Sequence, residues 1–305
     1  LRLRKKGKDT VPNLSLKWEI LPEDEGKTVK KFLREKKISR AALNAVKYRG
    51  GSILVNGEKV NVRKVLKAGD LLQVLFPDEE ASEKLRPQDI PLNILYEDEY
   101  LLVIDKPAPM DTIPPRNRRD GSLANALLGY YEKIGLKTAP HIVTRLDRNT
   151  SGLVLVAKYQ HIHSLLARAQ RSGEISRRYI AFCEGVFSDP EGVIEAPIGR
   201  KPGSIIERTV SENGRYARTE YEVLKQYDTY AKILVRPKTG RTHQIRVHFS
   251  HIGHPLLGDS LYGGNTARIS RQALHCREIS FYHPIREEPV TFVSELPEDM
   301  QKLEQ

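Results

Sequence analysis

Among the residues able to do chemistry, Asp147 has the most distinctive setting. It stands in HIVTRLDRNTSGLVLVAK, His141 to Lys158, with Arg145 two positions before it and Arg148 directly after it. Thr150, Ser151 and Gly152 read as a turn, and a strongly apolar run follows. Ordinary surface charge is seldom framed in this way, and a buried strand does not usually open with it. A single carboxylate can attack carbon as a nucleophile or take up a proton. A nearby arginine favours the ionised form that either task needs. A typical hydrolytic glycosidase needs two carboxylates with a water between them, and one acid alone does not fit that pattern.

The elements that must position this acid lie in the second, longer part of the chain. NILYEDEYLLVIDKP ends in a buried-type strand, Tyr100 to Ile104, stopped by Pro107, and GLVLVAK is a second such strand. SLLARAQRSG reads as a helix ended by Gly173, and SRRYIAFCEGVF as a strand. TEYEVLKQYDTYAKILVRP reads as a hairpin turning near Asp228. Strands outnumber helices without the regular alternation of a doubly wound sheet. The expected class is therefore α+β, built on a mainly antiparallel sheet.

The 305 residues are enough for about two domains, and 39% hydrophobic content suits a globular protein with a sizeable core. Residues 1–20 read as a basic tail, 21–78 as a small α/β-hairpin module, 79–90 as a polar linker, and 91–305 as the domain carrying Asp147. In the module, Val29, Phe32 and Leu33 have the spacing of one helix face. Ser39 is a good N-cap for a second helix from Arg40, and Asn56-Gly57 is a strong hairpin signal.

Charge is concentrated in the same module. The chain has 50 basic and 39 acidic residues, a net +11. From Lys27 to Lys67 there are thirteen basic residues against Glu35 and Glu58 alone, which accounts for the whole excess. Clustered Lys and Arg gain affinity by releasing counterions from phosphates. An RNA-binding surface is expected there, with Lys30, Arg34, Lys37, Arg40, Lys47 and Arg49 as contacts. No apolar run approaches the ~20 residues of a membrane span, and LRLRKKGKDT lacks the apolar stretch of a secretory signal. Cys183 and Cys276 stand alone, which fits reduced thiols and a cytoplasmic protein rather than a disulfide framework.

Several other chemistries find no support. There is no GxxxxGK[ST], no GxGxxG after a strand, no GxSxG, and no cysteine pairs at zinc spacing. Four histidines crowd into THQIRVHFSHIGHP, namely His243, His248, His251 and His254. No acidic or cysteine ligand lies within that run before Asp259, so structural or RNA-facing histidines are expected and no metal.

RLDRNTSGLVLVAK, then RRYIAFCEG, then TGRTHQIRVHFSHIGHPLLGDSLYGG and LHCREISFYHP together resemble the RluA/RluD-type pseudouridine synthases, over most of residues 91–296. The preceding module resembles the small RNA-binding domain of ribosomal protein S-four. The resemblance implies isomerisation of uridine to pseudouridine in RNA. The N-glycosidic bond breaks, the base rotates, and a carbon–carbon bond forms through carbon 5, with no cofactor or metal. It implies that Asp147 is the essential carboxylate, as nucleophile or as base. It implies that Arg246 pairs with that acid and that Tyr179 is the active-site tyrosine, able to stack on uracil. Arg145 would help hold the target nucleotide out of its stack. Arg177, Arg241 and His243 are carried over as substrate contacts, Arg177 standing where the family tends to have lysine. In place of Lys-Pro-x-Gly the chain has Lys106-Pro107-Ala108-Pro109, and proline cannot take the positive φ open to glycine. DTIPPRNRRDG follows where a His-Pro pair is common, and both departures bear on substrate choice.

Large-subunit (23S) ribosomal RNA is the expected target, transfer RNA the second, and a monomer the expected state. Two readings from other classes compete. A non-catalytic RNA-binding or ribosome-assembly protein would have no reason to keep Asp147, Tyr179 and Arg246 together. A metal-dependent nuclease using the histidines would be inhibited by chelators.

Overall fold

The computed structural model describes residues 14–79, 85–115 and 118–305. Most of the basic tail, part of the linker and two residues of the loop after Asp111 lie outside the described residues.

The first unit comprises strand β1 (Ser15–Glu19), helices α1 (Val29–Glu35) and α2 (Arg40–Tyr48), and strands β2 (Ser52–Val55), β3 (Glu58–Lys59) and β4 (Leu71–Leu75). The strands form one sheet in the order β1-β4-β2-β3. Thr28 and Ser39 cap the helices, their hydroxyls accepting from the Lys31 and Ala42 amides. Val29, Phe32 and Leu33 are buried. Asn56 and Gly57 both take positive φ, 53° and 85°, as a two-residue hairpin turn requires.

The expected tail to residue 20 is corrected by β1, which pairs with β4 from Ser15 to Glu19. Leu14, Leu16 and Ile20 are buried and Trp18 packs on the same core. That period-two alternation is the strand signal inside an otherwise basic stretch. The expected linker is also partly bound. Glu79 accepts from the Gln160 amide at 2.8 Å, while the Asn125 side chain donates to the Arg86 carbonyl at 2.8 Å.

The longer unit comprises β5 (Ile94–Glu97), β6 (Leu101–Lys106), α3 (Leu123–Lys133), β7 (His141–Ile142), β8 (Ser151–Ala157), α4 (Gln160–Arg171) and β9 (Ser176–Glu184). It continues with β10 (Glu191–Glu195), β11 (Ile198–Arg200), β12 (Arg208–Val210), β13 (Arg218–Gln226), β14 (Tyr230–Pro237) and α5 (Gln244–His251). It closes with β15 (Leu274–Tyr282), β16 (Pro289–Val293) and α6 (Glu298–Gln301). The main sheet runs β10-β13-β14-β9-β15-β8-β6-β5, with β16 paired to β15 and β7 to β8. Among the described residues, every pairing of strands in that sheet is antiparallel except β8 with β15. The fold is α+β on a mainly antiparallel sheet.

The parallel seam depends on Gly152. Its φ is +107°, and a Cβ there would run into the Cys276 backbone. β8 is buried along its whole length, which explains its unbroken apolar sequence. One continuous core includes residues of both units. At their junction Phe76 stacks on His161, with ring centroids 5.1 Å apart.

Candidate active site

Asp147 sits in the loop between β7 and β8, and four features hold that loop. The Thr112 hydroxyl donates to the Leu146 carbonyl at 2.6 Å and accepts from the Leu146 amide at 3.1 Å. The Thr150 amide donates to the Asp147 carbonyl at 3.0 Å, closing a turn. Arg271 donates to the Asn149 carbonyl at 3.1 Å and grips Asp299 with two further bonds. Lys106, fully buried at the end of β6, donates to the carbonyls of Pro107, Met110 and Arg148 at 3.0, 2.8 and 3.4 Å. Three acceptors match the three N–H bonds of an ammonium. Burial nevertheless pushes the Lys106 amine down to about 7, against the opposing pull of Asp147.

The partner of Asp147 comes from α5. Arg246 donates Nη1–H to Asp147 Oδ2 at 3.1 Å, and its Nε and Nη2 bind both oxygens of buried Asp259, at 2.7 and 2.8 Å. The Tyr262 ring lies 4.9 Å from the guanidinium. Burial disfavours the Arg246 charge, but the bonds to Asp259 and the field of Asp147 outweigh it, so its pKa ends above the ordinary value. A planar fork clamped by Asp259 leaves one edge for Asp147.

His243 begins α5 in the left-handed region, φ 56°, a strained position for a non-glycine residue. Gln244 pins the loop before it. Its side-chain oxygen accepts from Thr239 and from the Arg241 amide, and its amide group donates to Arg218 and Thr219. His243 Nδ1 is 2.8 Å from the Tyr262 hydroxyl, and Nε2 is 3.9 Å from Asp147. The same hydroxyl accepts from the Arg208 amide at 2.9 Å. Which of the two ring nitrogens carries the hydrogen depends on the tautomer, and Nε2 is the one that faces Asp147. Burial lowers the His243 pKa, against the pull of Asp147.

Tyr179, on β9, is buried at 4% exposure beside Cys276, with Arg177 nearby. Burial, then Cys276, raise its hydroxyl well above the ordinary value, and Arg177 opposes them. The Tyr179 hydroxyl in turn raises the Arg177 pKa. The structure therefore gathers Asp147, Arg246 and His243, with Tyr179 close enough to feel the Asp147 charge and Arg177 beside Tyr179. Arg145 is exposed, Arg148 pairs with Asp111 at 3.0 Å rather than with Asp147, and Arg241 donates to the Tyr216 carbonyl. The other histidines diverge. His248 is bonded to Thr219 and Ala196, His254 to the Glu184 carbonyl, and His251 is exposed.

Sequence reading missed Asp259, Tyr262, Lys106 and Thr112. Asp259 and Tyr262 lie in GDSLYGG and Lys106 ends the apolar strand β6, so their motifs were visible but their contacts were not.

The site sets one carboxylate against a fixed guanidinium, beside an imidazole and a buried phenol. Residues 100–251 match the family model of RNA pseudouridylate synthases. The chain is 49% identical over 276 residues to an uncharacterised RNA pseudouridine synthase of Bacillus subtilis, YjbO, covering 90% of this chain and 98% of that protein. It is 40% identical over 263 residues to ribosomal large subunit pseudouridine synthase D of Pseudomonas aeruginosa, covering 82% of each. The solved structure of human RNA pseudouridylate synthase domain containing 1 aligns with a TM-score of 0.57 at 26% identity, covering 68% of this chain and 84% of that one.

Proposed function

The chain belongs to the RNA pseudouridine synthase family, isomerases that convert uridine to pseudouridine in RNA, and from that premise we propose that Asp147 is the essential carboxylate and 23S ribosomal RNA the substrate. The observation that carries the assignment of Asp147 is its bond to Arg246, itself clamped by Asp259. The guanidinium sets a full positive charge beside the acid and fixes one of its oxygens, leaving the other to act on the ribose. In this reading the bond from uracil N1 to carbon 1′ breaks and a bond from carbon 5 to carbon 1′ forms. The hydrogen of carbon 5 then leaves as a proton. Asp147 acts either as the nucleophile or as the base that starts this sequence. Tyr179 stacks on the uracil and is placed for proton exchange. His243 turns Nε2 toward the carboxylate, while Arg177 and Arg241 contact the nucleotide. Exposed Arg145 occupies the vacated place in the stack.

The ribosomal target is favoured by the likeness to large-subunit synthase D proteins and by the basic first unit. We assign residues 14–78 as an RNA-binding module preceding the catalytic domain. Lys30, Arg34, Lys37, Arg40, Lys47 and Arg49 are all exposed, and none is in an ion pair among the described residues. Tyr48, 74% exposed with the Lys47 ammonium 4.6 Å from its ring, adds a stacking surface. A ribosomal target implies work in the cytoplasm. Among the described residues no helix is long and apolar enough to cross a membrane.

The test is tritium release from 23S and transfer RNA transcripts labelled at carbon 5 of uridine. Wild type should release tritium from 23S RNA, and Asp147→Asn should release none while binding the transcript equally. Release from the transfer RNA pool alone would overturn the target. Activity surviving in Asp147→Asn would overturn the role of the acid.

A further inference from the structure

A cavity of about 200 Å³ lies between β12 and α5, at one remove from Asp147. Tyr262 is the connection, because its hydroxyl binds His243, its ring backs Arg246, and it also lines this cavity. Val210 and Val247 supply apolar wall, and Thr209 supplies a hydroxyl. Arg208 and His251 add two basic side chains, His251 exposed and Arg208 half-buried. The volume falls below the roughly 300–1,000 Å³ of sites for drug-sized ligands. It suits a single flat ring rather than a whole cofactor. Aromatic and branched apolar walls accept the faces of a base, the hydroxyl offers an edge contact, and the Arg208 guanidinium meets a phosphate.

From these features we propose that the cavity is a second nucleotide subsite, which holds a base of the substrate RNA close in sequence to the target uridine. The inference rests on the reading that Asp147 marks the target position. Tyr262 and the Arg208 amide then tie the two positions together. A base lodged on β12 fixes the strand whose neighbouring uridine faces Asp147. Choice of uridine would depend in part on what its neighbour can place here.

The first experiment is methyl NMR on the full chain, titrating each of the four nucleoside 5′-monophosphates and reading the Val210 methyl groups. The expected result is a saturable shift with at least one nucleotide, weakened by Arg208→Ala and absent in Thr209→Trp. Arg208→Ala leaves the backbone bond to Tyr262 in place, so its effect reports the guanidinium. Ribose 5-phosphate is the control without a base. No shift at Val210 with any nucleotide overturns the proposal, and so does an equal shift with ribose 5-phosphate, which would make the cavity a mere anion site. The second experiment is kinetic, on the 23S transcript. Thr209→Trp should raise KM about tenfold, the loss of one stacked base, with kcat nearly unchanged. If Thr209→Trp does not fold, Arg208→Ala with the ribose 5-phosphate control decides alone. If wild type releases no tritium from 23S RNA, the target reading fails, while the NMR experiment still decides the subsite.

Discussion

Asp259 touches Asp147 only through Arg246, yet it holds both of the strong bonds that fix the guanidinium. Removing one member of a buried ion pair typically destabilises by about 3–5 kcal/mol, because the other charge is left without a partner. Asp259→Ala should lose stability on that scale in urea melts and should lose turnover with it. Arg246→Lys should not preserve activity, since an ammonium cannot reach two carboxylates with a planar fork. Lys106 gives a pH prediction. An unfolded lysine keeps its proton to about pH 10.5, whereas the folded one releases it near 7. Between those values the unfolded chain binds more protons, so the contribution of Lys106 to stability rises with pH across that window. Lys106→Met should be less stable overall, leaving the Pro107 and Met110 carbonyls without their donor, while that of Arg148 keeps the Met110 amide. It should also lose the rise between pH 7 and 9, measured by urea melts at both. A slope unchanged in the variant would show that Lys106 does not titrate there.

At the scale of elements, local signals were legible and long-range ones were not. Ser39 and Asn56-Gly57 announce a cap and a turn because both depend on a few adjacent residues. β8 was legible because burial on both faces leaves an unbroken apolar run. β1 was overlooked because its alternation is short and set among charges. Asp259 could not be assigned, because its role depends on a contact made across the end of α5. Lysine before proline reads as a surface turn, and only packing shows Lys106 to be fully buried. The junction of α4 with the first unit carries a similar hidden feature. His161 is 4% exposed, stacks on Phe76, and neither ring nitrogen has a hydrogen-bond partner among the described residues. Burial lowers its pKa to about 4. Unfolded histidine is protonated below about 6.5, so His161 destabilises the fold increasingly as pH falls from 6.5 to 4. His161→Phe removes two unsatisfied nitrogens and keeps the stacked ring. It should raise Tm at pH 7, and more at pH 5.

Over the whole molecule, the basic excess between Lys27 and Lys67 falls in the first unit and Asp147 in the second. The six exposed cations proposed to meet RNA lie on α1, α2 and the residues beside them. Each phosphate contact contributes about 0.9 to the slope of log affinity against log salt on a duplex, and about 0.7 on a single strand. Replacing Lys30, Arg34, Lys37, Arg40, Lys47 and Arg49 with glutamine should weaken binding and flatten that slope by several units, as read by filter binding at stepped salt. An unchanged slope would remove the first unit from the RNA interface. Substitution is a cleaner test than deletion, because the units share a continuous core through Phe76 and His161. The sheet order has a further consequence, in time. β15 lies between β9 and β8, and its first residues pair with β8 across a separation of 124 positions, as in Ser151 with His275. Such pairings form late in folding, since a long loop must close first. A chain still being translated carries Asp147 long before it has β15 or Arg271. At roughly 5–20 residues per second, many seconds separate synthesis of the acid from completion of its support. The acid is therefore made well before the strand and the arginine that hold its loop, and its setting is complete only when the centre of the sheet is filled.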